Sequence, residues 1–171
     1  MIDPLRFRPE DIPVDGRDVD VELDPSWLVS VVGAPEGASP TPSRVVGRLE
    51  VAGNKIVFRG TLRTTYAFEC SRCASLAAMP VEADFAHVFA PRSEQEEGEE
   101  SDDGMTFFQG YSFDAEPVVA EELALAIPDF PLCSEECKGL CAQCGADLNE
   151  GPCGCPPPVD PRWAALKSLK V

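Results

Sequence analysis

The stretch Cys133-Ser-Glu-Glu-Cys137-Lys-Gly-Leu-Cys141-Ala-Gln-Cys144-Gly145, followed closely by Cys153-Gly-Cys155, holds six of the eight cysteines in the chain. The other two lie far upstream, in Cys70-Ser-Arg-Cys73. Two residues between cysteines let both thiolates of a tight turn bind one ion, and four thiolates complete a tetrahedral zinc site. The pattern therefore predicts two Zn²⁺ ions, with the ligands Cys70, Cys73, Cys133, Cys137, Cys141, Cys144, Cys153 and Cys155.

The first residues, Met1-Ile2-Asp3-Pro4-Leu5-Arg6, lack the basic and apolar stretches of a secretory signal. The chain also has no apolar run as long as a membrane span. These features predict a cytoplasmic protein that does not bind membranes. Thiols stay reduced in that compartment, where clustered thiols are usually metal ligands. Disulfides, an iron-sulfur cluster and buried cysteines without a ligand are the alternatives to zinc.

The composition is strongly acidic. Over 171 residues, 14 Lys and Arg face 30 Asp and Glu, which gives a formal net charge of -16. Two filled four-thiolate zinc sites would deepen this charge to about -20. The length fits one domain, alone or with a small appendage. The charge disfavours nonspecific binding to nucleic acid or anionic lipid and favours basic partners.

Residues 45–69 alternate apolar and polar side chains around Gly53-Asn54, which predicts a β-hairpin. One face carries Val45, Gly47, Leu49, Val51, Ile56, Phe58, Leu62, Tyr66 and Phe68. The other face is basic and carries Arg48, Lys55, Arg59 and Arg63. We interpret this basic face either as a solvated surface that balances nearby carboxylates or as a partner-binding strip for phosphate or an acidic surface.

Short elements are predicted on both sides of the hairpin. Residues 1–23 predict one or two edge strands broken by turns, and Asp24-Pro25 predicts the start of a short helix. Residues 81–89 alternate like a strand. His87 shares the apolar face of that strand, so we expect a hydrogen-bonded, partly buried side chain rather than a metal ligand.

The C-terminal half mixes predicted elements with polar segments. Residues 93–104 hold seven carboxylates and no apolar side chain, which predicts a disordered acidic loop. Residues 105–113 predict a short strand, and Asp114 is predicted to cap a helix over Pro117–Ala126, with Leu125 extending its apolar face.

The last residues predict a tail of two parts. Pro156-Pro157-Pro158 forms a stiff spacer, and Asp160-Pro161 predicts the start of a C-terminal helix. Trp163 lies on a narrow apolar stripe of that helix. The helix either docks on its own domain or binds a partner through Trp163.

These segments predict an α+β fold, in which an antiparallel β-sheet and a few short helices carry a C-terminal cysteine-rich zinc-binding segment. The predicted organisation is an α+β domain over 1–132, the zinc-binding segment over 133–155 packed on it, and the spacer and helix over 156–171.

Five motifs occur together in this chain. They are Phe68-Glu69-Cys70-Ser71-Arg72-Cys73, Leu123-Ala124-Leu125-Ala126-Ile127-Pro128, the run from Cys133 to Asn149, Cys153-Gly-Cys155, and Asp160-Pro-Arg-Trp-Ala-Ala-Leu-Lys-Ser-Leu169. Their combination resembles the YceD family, the bacterial and plastid large ribosomal RNA subunit accumulation proteins. The resemblance extends from about Val45 to the end of the chain. This resemblance implies a non-enzymatic cytoplasmic factor needed for large-subunit ribosomal RNA to accumulate.

The resemblance also implies how the cysteines divide between two sites. The first site would contain Cys70, Cys73, Cys133 and Cys137. The second would contain Cys141, Cys144, Cys153 and Cys155, whose close spacing agrees with a compact local site. A rival grouping unites Cys133, Cys137, Cys141 and Cys144, and leaves the first pair to join the last pair.

Three classes of function fit the sequence. The first is a ribosome-assembly factor that binds the large-subunit precursor through a basic ribosomal protein or through ribosomal RNA. The second is a chaperone that senses oxidation by releasing zinc. The third is a zinc-ribbon adaptor that binds nucleic acid. An enzyme with a small-molecule substrate is not expected, because the chain has one histidine, no glycine-rich phosphate loop and no open three-ligand zinc pattern.

Overall fold

The structure is a computed structural model that describes residues 4–92 and 104–156. Its elements are β1 (Arg6–Phe7), a short 3₁₀ helix (Pro9–Asp11), β2 (Arg17–Leu23), α1 (Pro25–Val32), β3 (Ser43–Ala52), β4 (Lys55–Glu69), β5 (Leu76–Pro91), β6 (Met105–Phe108), β7 (Phe113–Asp114) and α2 (Glu116–Ala126). The predicted acidic loop, except Gly104, and the predicted C-terminal helix with Trp163 lie outside the described residues. Within those residues, the two α-helices have 8 and 11 residues, too few to cross a membrane.

The hairpin of β3 and β4 is the centre of the sheet. The two strands pair antiparallel with Ala52 opposite Lys55, so Gly53 and Asn54 form a two-residue turn. Gly53 has a φ of 68°, which glycine adopts without the steric cost that a side chain would add. The predicted hairpin is confirmed.

The main sheet has five strands in the order β2-β3-β4-β5-β6. Its neighbours pair antiparallel except β5 and β6, which pair parallel. The predicted α+β class is confirmed, and the parallel pair is an addition to the predicted antiparallel sheet. Residues 105–113 form two strands rather than one, because β7 leaves the main sheet and pairs with β1.

The apolar face of the sheet forms the core against both helices and β1. Phe58 and Phe89 are fully buried, and Phe58 packs edge-on against Phe85 with ring centroids 4.9 Å apart. Two predicted apolar positions face solvent instead: Val51, close to the hairpin turn, is 43% exposed, and Leu125 on α2 is 74% exposed. The helical period places Val119 and Leu123 in the core, which leaves Leu125 on the other side of α2.

Asp24 caps α1 as predicted, whereas the predicted cap of α2, Asp114, lies one residue before the actual N-cap residue, Ala115. Asp24 accepts a hydrogen bond from the backbone N–H of Ser26 at 2.9 Å, as expected for an N-cap. Asp114 accepts one from the backbone N–H of Glu116 at 2.9 Å, and α2 begins at Glu116, one residue before the predicted start. Trp27 then joins α1 to α2, because its indole N–H donates to the Glu116 carboxylate at 3.1 Å.

His87 behaves as expected from its place on the strand. Its Nε2 lies 2.8 Å from Oγ1 of Thr106 on β6, and burial lowers the pKa of the imidazole. The side chain is therefore a partly buried hydrogen-bonding group that joins β5 to β6.

Candidate metal centre

The eight cysteines form two groups of four. In each group, the four thiol sulfur atoms all lie within 4.8 Å of one another. The first group, which we call the sheet cluster, consists of Cys70, Cys73, Cys133 and Cys137. The second group, the ribbon cluster, consists of Cys141, Cys144, Cys153 and Cys155. This is the partition that the family resemblance implied, and the rival grouping is not formed.

The sulfur–sulfur distances in the sheet cluster match those of a tetrahedral metal site. The thiols of Cys70 and Cys137 lie 3.8 Å apart, and those of Cys73 and Cys133 lie 3.7 Å apart. A tetrahedral zinc site with Zn–S bonds of about 2.3 Å separates its sulfur atoms by about 3.8 Å. A disulfide would need about 2.05 Å. All eight cysteines are free thiols, so both clusters fit a metal ion such as zinc rather than disulfide bonds.

A tight turn at the end of β4 presents the first two thiols. The backbone N–H of Cys70 donates to the carbonyl of Ser75 at 2.9 Å, and the N–H of Ala74 donates to the carbonyl of Cys70 at 2.8 Å. These bonds fold the chain back before β5 begins, so the thiols of Cys70 and Cys73 meet in the same cluster. Ala74 has a φ of 57° in this turn, a backbone conformation that favours glycine.

The ribbon cluster contains the same turn. The backbone N–H of Cys141 donates to the carbonyl of Ala146 at 2.8 Å, and the N–H of Gly145 donates to the carbonyl of Cys141 at 2.8 Å. Gly145, directly after Cys144, has a φ of 72°, and a glycine at that position of a Cys-x-x-Cys turn is a sequence signal for positive φ. The corresponding turn at Cys70 gave no such signal in the sequence, because its residue with positive φ is an alanine.

The segment after α2 brings the second pair of thiols to the sheet cluster. The backbone N–H of Ser71 donates to the carbonyl of Pro131 at 2.9 Å, which fixes this segment beside the first turn. The Arg72 guanidinium donates to the carbonyl of Cys137 at 2.8 Å. Cys70, Cys73 and Cys137 are buried with Leu132 packed against them, whereas Cys133 is exposed.

The thiols in each cluster differ in acidity. A hydrogen bond from the backbone N–H of Cys133 lowers the pKa of Cys70 to about 6, and one from the N–H of Cys144 lowers the pKa of Cys141 to about 6. Hydrogen bonds with the Cys137 and Cys70 thiols raise the pKa of Cys133 to about 11. Those with Cys144 and Cys153 raise the pKa of Cys155 to about 12.

The convergence of four thiols in each cluster favours a bound cation. A thiolate opposes a second negative charge close beside it. All four thiols can ionise at neutral pH only when a cation balances them, and a divalent metal supplies that charge. Four thiolates also fill a tetrahedral coordination sphere, which leaves no position open for a substrate and indicates a structural site.

Two hydrogen bonds to Cys137 were not predicted. Arg72 holds the backbone of Cys137, as described above. The side-chain amide of Asn149 donates to the sulfur of Cys137 at 3.5 Å. The pattern Asp147-x-Asn149 was an available signal for a local turn, although not for the contact with Cys137. An Asp side chain often accepts a hydrogen bond from the backbone N–H two residues later, and Asp147 does so at 2.8 Å.

The predicted basic face of the hairpin carries both signs of charge. Arg48 contacts Asp18 at 2.5 Å, Arg63 contacts Glu82 at 2.9 Å, and Arg44 forms two hydrogen bonds with Asp20. Within residues 4–92 and 104–156, Arg59 has no carboxylate partner. The Lys55 ammonium donates to the sulfur of Met105 at 3.3 Å. Partner binding by Arg48, Lys55, Arg59, Arg63 and Trp163 stays a prediction.

Fold and site together define an α+β protein with two four-cysteine clusters, one at the end of the central hairpin and one in the segment that follows it. A family model described as "Large ribosomal RNA subunit accumulation protein YceD" matches residues 58–170, a range that contains all eight cysteines. The chain belongs to the YceD family.

The chain is also similar to curated proteins of other bacteria. An uncharacterized protein of Mycobacterium tuberculosis (strain ATCC 25618 / H37Rv) is 32% identical over 124 residues, which cover 71% of this chain and 59% of the relative. The uncharacterized protein YlbN of Bacillus subtilis (strain 168) is 30% identical over 139 residues, which cover 75% of this chain and 74% of the relative. The chain thus spans about three fifths of the mycobacterial relative. No solved structure matches it.

Proposed function

We propose that the chain is a non-enzymatic, cytoplasmic zinc-binding factor in ribosome biogenesis that supports the accumulation of large-subunit ribosomal RNA. The family match over residues 58–170 carries this proposal, because the family is described by that role. The two clusters support it, since closed four-thiolate sites suit a scaffold protein better than a catalyst.

Zinc is the metal that we assign to both clusters. It accepts four thiolates in tetrahedral geometry, and the distances of 3.7 and 3.8 Å in the sheet cluster agree with its bond length. When bound, zinc would supply a divalent charge and a cross-link. The residues that hold it would be the eight cysteines, with Arg72 and Asn149 holding the Cys137 end of the sheet cluster.

The partner that we propose within the large-subunit precursor is a basic ribosomal protein rather than the RNA itself. The net charge of -16 attracts a basic protein and repels phosphate. Of the hairpin arginines, Arg44 and Arg63 already contact carboxylates on neighbouring strands, whereas Arg59 contacts none among the described residues. These exposed pairs are individually weak, so the overall charge is the stronger of the two arguments.

A deletion experiment tests the role in ribosomal RNA accumulation. In cells that lack the gene, the ratio of large-subunit to small-subunit ribosomal RNA should fall, and the intact chain should restore it. An unchanged ratio in the deletion strain would contradict the proposed function.

Two variants with opposite charge changes test the partner. Replacing residues 94–103 with a Gly-Ser linker removes seven negative charges. Replacing Arg48, Arg59 and Arg63 with Glu makes the hairpin face acidic. If a basic protein is the partner, the linker variant should bind large-subunit precursor particles more weakly, and the hairpin variant should bind them about as well as the unaltered chain. The opposite result in particle co-sedimentation would assign the contact to RNA.

A further inference from the structure

A continuous set of hydrogen bonds joins the two cysteine clusters. The ribbon loop, residues 145–152, lies against residues 138–140, which run directly from the last ligand of the sheet cluster to the first ligand of the ribbon cluster. The backbone N–H of Leu148 donates to the carbonyl of Gly139 at 2.9 Å, and Leu140 forms an antiparallel bridge with Asp147. The N–H of Leu140 donates in turn to the carbonyl of Arg72 at 3.0 Å, in the first turn of the sheet cluster.

Asn149 is the member of this set that reaches a metal ligand. Its Nδ2 donates to the Cys137 sulfur at 3.5 Å and to a carboxylate oxygen of Asp147 at 2.7 Å. Its Oδ1 accepts from the backbone N–H of Lys138 at 2.8 Å. These partners define the orientation of the amide, because the flipped amide would place its oxygen against the Asp147 carboxylate and the Cys137 sulfur.

Two ligands of the ribbon cluster flank Asn149 along the chain. Asn149 belongs to the loop between Cys144 and Cys153, so metal binding at the ribbon cluster closes that loop from both ends. Gly139 is buried and packs so closely that an added Cβ would lie 2.8 Å from the carbonyl oxygen of Arg72. Residues 138–140, between the two clusters, therefore have little freedom to shift independently of the turn that holds Cys70 and Cys73.

We propose that Asn149 couples the two metal centres, so that a metal ion at either cluster raises the affinity of the other. Loading the ribbon cluster orders the loop and aims the Asn149 donor at Cys137, where it stabilises the thiolate bound to metal. Hydrogen bonds to metal ligands of this kind typically change metal affinity by about 10- to 100-fold. Linkage requires the effect to be reciprocal, so loading the sheet cluster strengthens the ribbon cluster by the same factor.

The inference rests on the proposed zinc binding, and one experiment separates the two. The full chain is equilibrated in buffers of known free Zn²⁺ and pulsed with a thiol-alkylating reagent. Mass spectrometry then gives the protection of Cys70 and Cys137, which reports the sheet cluster alone. The variants are Asn149→Leu, Cys153→Ser and the combination of both. Fewer than two zinc ions on the unaltered chain at saturation would contradict the proposed zinc binding, whatever the variants do.

We expect Asn149→Leu and Cys153→Ser each to raise the free Zn²⁺ needed to protect Cys137 by about 10-fold or more. The double variant should show little further change, because both substitutions interrupt the same connection. Asn149 is exposed, so the substitution by leucine does not disturb the packing of the core. Full protection of Cys137 in Asn149→Leu at high Zn²⁺ will show that the variant folds.

The matched control is Gln143→Leu, which removes another side-chain amide near the ribbon cluster. In the unaltered chain, Nε2 of Gln143 donates to the carbonyl of Pro156 at 2.6 Å and does not reach the sheet cluster. This control should leave Cys137 protection unchanged. Two bound zinc ions together with unaltered Cys137 protection in Asn149→Leu, or additive effects in the double variant, would overturn the coupling and leave zinc binding intact.

Discussion

The sheet cluster and the ribbon cluster contain the same kind of turn and four cysteines each, yet they connect very different lengths of chain. In the sheet cluster, Cys70 and Cys137 lie 67 residues apart, and the loop between them includes β5, β6 and α2. In the ribbon cluster, all four thiols lie between Cys141 and Cys155. Closing the longer loop restricts the unfolded chain more, by about 1.4 kcal/mol for a roughly fivefold difference in length. The same metal chemistry thus serves tertiary structure in one place and local structure in the other.

The clusters also differ in exposure. Three of the four thiols of the sheet cluster are buried, whereas none of the ribbon thiols is. A cavity of about 300 Å³ opens beside Cys141, Cys153 and Cys155. The comparison indicates that a ligand's position in the fold, more than its chemical type, determines what metal loss does to this protein.

The largest expected effect comes from removing one ligand of each cluster in turn. The unaltered chain should carry about two zinc ions and be colourless, and Cys70→Ser and Cys153→Ser should each carry about one. A structural zinc site contributes on the order of 10 kcal/mol of apparent folding free energy. Cys70→Ser should therefore lower the melting temperature strongly, because that site ties β4 to the segment after α2, whereas Cys153→Ser should lower it little.

Metal analysis and thermal unfolding at saturating Zn²⁺ measure both quantities. Saturating metal keeps the intact cluster of each variant loaded despite coupling between the sites. Loss of both ions in Cys70→Ser, or equal losses of melting temperature in the two variants, would break the distinction between a tertiary and a local cluster. A brown colour would indicate that the clusters hold an iron-containing centre instead of zinc.

The next effect concerns the order in which the clusters lose metal. A chelator added to the full chain should empty the ribbon cluster first, because its thiols are more exposed. Alkylation followed by mass spectrometry should then label Cys144 and Cys153 before Cys70 and Cys137. Circular dichroism should change mainly in the second phase, when the sheet cluster opens. Complete metal loss with unchanged secondary structure would show that neither ion is structural.

The same assay examines the redox-sensing alternative. Thiolates bound to a structural metal should resist dilute peroxide, so zinc should stay bound under conditions in which a free thiolate oxidises. Rapid zinc release from the ribbon cluster with exposure of apolar surface would favour the chaperone function over the ribosome-assembly function.

The sequence predicts most of the fold because its signals there are local. Alternation in residues 45–69 and Gly53-Asn54 determine the hairpin, and Asp24-Pro25 and Asp114 mark the two helix starts within one residue. The parallel pairing of β6 with β5 was not predictable in this way, since parallel partners are not joined by a short turn whose residues reveal them. Val51 was misassigned for a related reason, because alternation indicates a face but not where the core ends.

The candidate site shows the same division. Cysteine spacing predicts the ribbon cluster directly, whereas joining Cys70 to Cys137 across 67 residues required a family resemblance. The contact of Asn149 with Cys137 depends on how two loops pack together, and the spacing of residues does not encode that. Ala74 is a further case, because only the folded turn reveals its positive φ.

The smallest expected effect exchanges the residues with positive φ in the two turns. Ala74 has a φ of 57° and is exposed, so Ala74→Gly relieves backbone strain without losing packing. Gly145 has a φ of 72° with no atom within 4 Å of an added Cβ, so Gly145→Ala adds strain without a clash. Left-handed backbone costs a residue with a side chain about 1–2 kcal/mol, partly offset by the greater freedom of glycine in the unfolded chain. Each substitution should change the free energy of forming its own turn by about 1 kcal/mol.

The readouts of this exchange should differ between the clusters. Ala74→Gly should raise the melting temperature by about 2–4 °C, because the sheet cluster unfolds with the whole domain. Gly145→Ala should weaken zinc binding at the ribbon cluster about fivefold and leave the melting temperature nearly unchanged, because the ribbon can open locally. If Gly145→Ala lowers the melting temperature as much as Ala74→Gly raises it, the ribbon does not open independently, and both clusters belong to one cooperative unit.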